Sequence, residues 1–166
     1  MRSIVFFLLI TISLLLQSTV FTFLQVAGIK PDLVLMFVVF NGFLRGSREG
    51  AFLGFLAGLA QDIFTGSYIG LNALTKMLAG YLVGLAETRF YKESVIIVSM
   101  VTFVVGVVNQ VILYLLLFYL NVEISPYYAF GQVIIPSAIY TGLLVPLSYW
   151  EFYSSNEKGW LRQREF

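Results

Sequence analysis

The stretch SVIIVSMVTFVVGVVNQVILYLLLFYL, residues 94–120, contains no charged side chain. A helix crosses the roughly 30 Å hydrocarbon core of a bilayer with about 20 residues, so this run is long enough to span with tilt and a protruding end. A helix that is apolar on every face must be surrounded by protein core or by lipid. The whole chain decides between them. Of 166 residues, 59% are hydrophobic and 11% are charged, whereas soluble domains carry about 25% charged residues. Too few polar side chains remain to coat a water-facing exterior, and lipid is the expected solvent.

Further apolar segments lie on either side of this run, at 3–24, 31–44, 50–64, 71–86 and 126–150. Together with 94–120 they predict an all-α membrane protein of six transmembrane helices, in a domain covering residues 1–150, followed by a polar cytoplasmic tail at 151–166. Met1-Arg2 and the apolar run from Ile4 to Leu16 could be mistaken for a signal peptide. No small-residue cleavage pattern follows, and the segment reads as an uncleaved first helix. The second segment is short, opened by Pro31 at the first helical position with Asp32 in the first turn. Asn121 to Ser125 break the chain before the sixth segment, where Ser125 suits an N-cap, Pro126 the first turn, and Pro136 a kink.

The basic residues sort by side. With the N-terminus inside, Arg2, Arg45, Arg48, Arg89, Lys92, Lys158, Arg162 and Arg164 fall in cytoplasmic positions, and Lys30 alone falls in an outward loop. Cytoplasmic loops retain such an excess of Lys and Arg, so both termini are expected inside. Tyr149, Trp150 and Tyr153 at the inner end, and Tyr127 and Tyr128 at the outer end, are placed for interfacial aromatic belts.

Several function classes are excluded or disfavoured. The net charge of +1 offers no basic footprint for nucleic acid. The chain has no Cys and no His, which removes thiol chemistry and the side chain most used for proton transfer near neutral pH. No paired carboxylates and no nucleophile beside a base are visible, so no catalytic site, cofactor or metal is expected.

Two features remain. Gly46, Gly50, Gly54 and Gly58 recur every four residues, followed by Gly66, Gly70, Gly80 and Gly84. Spacing of four stacks glycines on one helix face, where they let another backbone approach closely. The face packs inside the monomer on the plainer reading and receives a partner's helix on the other. Asp62 and Lys76 are the ionisable residues expected inside the hydrocarbon, on either side of a short turn. Such charges need a partner or water. An ion pair between the two is the structural reading, and a partner or ligand contact is the functional one. Gln61, Asn72, Asn109 and Gln110 are candidates for interhelical hydrogen bonds.

The motifs PDLVL (31–35), FLRGSREG (43–50), GFLAGLAQDI (54–63), GLNALTK (70–76) and GYLVG (80–84) resemble those of the bacterial rod shape-determining MreD family. The resemblance extends over nearly the full length in size and layout. It implies a non-enzymatic inner-membrane component of the cell-elongation (rod) machinery, binding the bitopic protein MreC. It also implies proximity to the glycosyltransferase RodA, to a class B penicillin-binding protein and, indirectly, to MreB. The family's architecture is similar to that of the substrate-binding subunits of energy-coupling-factor transporters, so a subunit that captures a small molecule, using Asp62, Asn72 and Tyr68, is the rival expectation. Gly50, Gly54, Gly58, Gln61, Asp62, Asn72, Lys76, Gly80 and Gly84 fall in the motif region and are the candidate partner-contacting or fold-defining residues.

Overall fold

The computed structural model describes residues 2–19, 25, 28–66, 68–86 and 94–158. The end of the first apolar segment, the charged cluster Glu87, Arg89, Lys92 and Glu93, and the tail positions Arg162 and Arg164 lie outside the described residues. Among the described residues the chain is all-helical: α1 (Arg2–Ser18), α2 (Leu33–Arg45), α3 (Ser47–Thr65), α4 (Leu71–Leu85), α5 (Val95–Tyr119), α6 (Pro126–Tyr128) and α7 (Ile135–Lys158), with a π-helical turn, Ala129–Ile134, joining the last two. Two of these stretches, Val95–Tyr119 and Pro126–Trp150, are long and apolar enough to cross a membrane.

At the centre is α2, in which every residue from Leu33 to Leu44 is buried. It packs against α1, α3, α4, α5 and α7. This explains its uniformly apolar sequence: all of its faces meet protein, so no amphipathic stripe is needed. Its 13 residues correspond to about 20 Å at 1.5 Å per residue, well short of a bilayer core. Two apolar clusters form around it. Phe40, Phe43, Val98, Val145 and Tyr149 close one side, and Phe6, Ile10, Phe37, Leu53 and Ala57 close the other.

The outer surface is apolar as well. Leu147 is 81% exposed, Phe7 73%, Ile96 72% and Leu143 71%. These side chains are spread over α1, α5 and α7, so the exposed apolar surface runs around the bundle. Soluble monomers rarely show contiguous apolar patches beyond about 600 Å². The exterior of this bundle is built for lipid.

Several boundaries differ from the sequence expectation for identifiable reasons. Asp32 stands before the second helix instead of in its first turn: its side chain accepts from the Leu35 amide at 2.8 Å, which makes it the N-cap. The third helix begins at Ser47, three residues early, because Gly46 makes the break with φ +88°. Gly46 therefore leaves the glycine series and serves the junction. In the sixth segment the π-helical turn at Ala129–Ile134 lies just ahead of Pro136. Proline lacks an amide donor and its ring crowds the carbonyl four residues back, here Gln132, so the widened turn accommodates it. Helix α7 then runs on to Lys158, into the stretch expected as tail. Phe152 packs there on Phe37 and Phe40, with ring centroids 5.5 and 5.6 Å away. Tyr149, expected in an interfacial belt, is 1% exposed and stacks edge-on against Phe40 at 5.0 Å.

Candidate functional site

Helices α3 and α4 are the most closely packed pair, and glycine sets their separation. A Cβ added at Gly50 would lie 2.5 Å from the Gly80 carbonyl oxygen. At Gly54 it would fall on the Lys76 carbonyl, at Gly58 on the Asn72 carbonyl, at Gly80 on the Gly50 carbonyl, and at Gly84 on the Ser47 backbone. The glycine face of α3 is thus filled by the backbone of α4. Of the two readings of these glycines, the one within the monomer describes the structure.

The same close approach brings polar groups together at the α3–α4 turn. Asp62, near the end of α3, is fully buried. Its Oδ2 accepts from the amides of Gly70 at 2.8 Å and Ala73 at 3.2 Å. Its Oδ1 accepts from the Asn72 side-chain amide at 2.9 Å and the Asn72 backbone amide at 3.3 Å. The residue at the N-cap position of α4 is Gly70, with φ +105° and no side chain to cap with. Asp62 caps α4 from the neighbouring helix instead, and a carboxylate at a helix N-terminus is favoured by the dipole.

Lys76 is also fully buried. Its carboxylate partner is Asp32, with Nζ 2.8 Å from Oδ2, and the expected pairing with Asp62 is replaced. The reason is geometric. Both Asp62 oxygens are saturated by the start of α4, while the long lysine stem reaches the N-terminus of α2. Asn72 links the two centres, donating to Asp62 and accepting from Lys76 Nζ at 3.3 Å. From Asp32 the chain of contacts continues to α7: the Asp32 amide donates to Thr141 Oγ1 at 3.0 Å, Thr141 donates to the Ser137 carbonyl at 2.8 Å, and Ser137 donates to the Lys30 carbonyl at 3.1 Å. One network therefore ties α2, α3, α4 and α7 together at one end of the bundle.

Asp62, Asn72 and Lys76 were legible as candidates, and the structure joins them. Thr141 and Ser137 were not, because a Ser or Thr in an apolar helix ordinarily bonds its own preceding turn, and only the fold brings these two to Asp32 and Lys30. Gln61 is 9% exposed, but its Oε1 has no hydrogen-bond partner among the described residues, and neither side-chain polar atom of Asn109 has one. The interhelical bonds expected of those two are not formed. The described residues bring together no group of three or more His, Cys, Asp or Glu side chains able to hold a metal ion. Both acidic groups of the network have their oxygens engaged by the chain's own donors, an arrangement suited to holding helices together.

An apolar-surfaced helical bundle held together by a buried ionic network falls in the class of helical membrane proteins. Residues 1–153 match the family described as rod shape-determining protein MreD. The chain belongs to that family, which gives it a role in rod shape determination. No curated protein and no solved structure gave a significant match.

Proposed function

We propose that this chain is a multi-pass inner-membrane component of the bacterial cell-elongation complex. In this reading it binds MreC and helps couple MreB to peptidoglycan synthesis by RodA and a class B penicillin-binding protein, in a non-enzymatic role. The observation that carries the reading is the family match over residues 1–153. In this reading the six crossings are α1, α2, α3, α4, α5 and the α6–α7 rod, with both termini cytoplasmic. Helix α2, too short to span a full bilayer core alone, is enclosed by its neighbours on every face, and the bilayer thins beside the shorter helices. Two contacts support this topology. The Arg45 guanidinium lies 4.8 Å over the Phe6 ring, which puts the start of α1 beside the α2–α3 junction. Phe152 on Phe37 brings the end of α7 toward the same region. Arg2, Arg45, Arg48 and Lys158 then share the side on which the positive-inside rule expects them.

A small-molecule-capturing subunit is the alternative, and the site gives it little support. Asp62, its expected ligand contact, accepts four hydrogen bonds from α4 and the turn before it. A ligand would have to displace these at about 1.5–3 kcal/mol each. The deciding experiment is affinity purification from mild detergent with co-expressed MreC, followed by mass spectrometry of proteins and small molecules. Stoichiometric MreC is the expected result. A retained metabolite without MreC would replace this reading with the capture subunit.

A further inference from the structure

Between α1 and α3 runs an open groove of about 690 Å³, within the roughly 300–1,000 Å³ of ordinary small-molecule sites. Its walls are apolar, with Phe6, Phe7 and Ile10 on α1 and Phe52 and Leu56 on α3. At its α3 N-terminal end stand Arg48 and Glu49. Glu49 is engaged by Arg45 at 3.4 Å. Arg48 is exposed and forms no ion pair with any described residue.

We propose that this groove binds one anionic phospholipid, with an acyl chain along the Phe6, Phe7, Phe52 and Leu56 walls and the headgroup phosphate on Arg48. The charge arrangement fits: a guanidinium with no ion-pair partner among the described residues, at the mouth of an apolar channel, matches a phosphate at the head of an acyl chain, and Arg suits bidentate contact with phosphate. Basic groups between membrane helices on the cytoplasmic side are recurrent headgroup sites. The walls also select a chain over a helix. Helices associate in lipid through small residues that let backbones approach, and the glycines of α3 are already covered by α4. Bulky Phe and Leu side chains leave an uneven trough that a flexible acyl chain can follow.

The inference rests on the membrane reading of the fold and on no protein partner. The test uses the full chain reconstituted in nanodiscs containing equal phosphatidylglycerol and phosphatidylcholine, released and weighed by native mass spectrometry. One retained phosphatidylglycerol is expected, favoured about fivefold over phosphatidylcholine, the worth of one basic residue near an anionic headgroup. Arg48→Ala should bring the two lipids to parity, Arg48→Lys should keep most of the preference, and Leu56→Trp should lower retention of both. Because Arg48 is exposed, its substitution leaves the core intact and decides the matter. An unchanged preference in Arg48→Ala, or no retained lipid in the parent, overturns the proposal. So does a photo-crosslinker at Phe52 that captures a protein helix in native membranes in place of lipid. Failure of the membrane reading looks different, since the protein would then leave washed membranes without detergent.

Discussion

Lys76 Nζ lies 2.8 Å from Asp32 Oδ2, joining the middle of α4 to the N-cap of α2 across 44 positions of sequence. Removing one partner of such a buried pair strands the other charge, at a cost of about 3–5 kcal/mol. Lys76→Met should destabilise the protein by about that amount. The double variant Lys76→Met with Asp32→Asn should be clearly more stable than Lys76→Met alone, since asparagine keeps the cap to Leu35 without a stranded charge. Denaturant unfolding in detergent, followed by tryptophan fluorescence, measures the cycle when the Asp32→Asn single variant is included. Strict additivity of the two single variants would show that the pair is not coupled.

Asp62 predicts a local effect. Its carboxylate takes the amides of Gly70, Asn72 and Ala73, so Asp62→Ala leaves the first turn of α4 without an acceptor. A loss of about 2 kcal/mol or more follows from the combined cap and charged hydrogen bonds. Hydrogen exchange should accelerate first at residues 70–73, and by less in Asp62→Asn, which retains one oxygen. Uniform protection there in Asp62→Ala would contradict the cross-helix cap.

The glycines divide into two groups by what surrounds them. Gly54→Ala and Gly58→Ala must push α4 away, because the added carbon meets α4 backbone. About 1–3 kcal/mol of overpacking is expected for each, and more for leucine. Gly131 has nothing within 4 Å of a built Cβ, so Gly131→Ala should be neutral or stabilising by up to about 1 kcal/mol. Thermal unfolding of the three variants in one detergent gives the comparison.

These cases also show where sequence reasoning succeeds and where it stops. The run at 94–120 identified α5 and the lipid-facing character of the bundle, because hydropathy depends on composition alone. The four-residue glycine spacing marked a close helix contact. That its occupant is α4 follows only once Gly50 is seen against Gly80. For Lys76, nearness in sequence pointed to Asp62. The three-dimensional answer depended on Gly70, which cannot cap its own helix and so claims Asp62, leaving lysine to the more distant Asp32. Thr141 and Ser137 carry no periodic signal and became visible only through the fold.

The proposed six-crossing topology can be tested without a background signal, because the chain contains no cysteine. Tyr68, in the α3–α4 turn, and Glu123, between α5 and α6, are exposed, and so is Ser154 near the end of α7. With both termini cytoplasmic, Tyr68→Cys and Glu123→Cys face outward and Ser154→Cys faces inward. An impermeant maleimide should label the first two in intact cells and the third only after permeabilisation. The pair at Tyr68 and Glu123 is sensitive to whether α4 and α5 both cross, since loss of either crossing would put the two cysteines on opposite sides. Labelling of Ser154→Cys in intact cells would instead mean that the bundle is inserted the other way round. It would also move the basic end of the bundle, with Arg45 and Arg48, to the outer face.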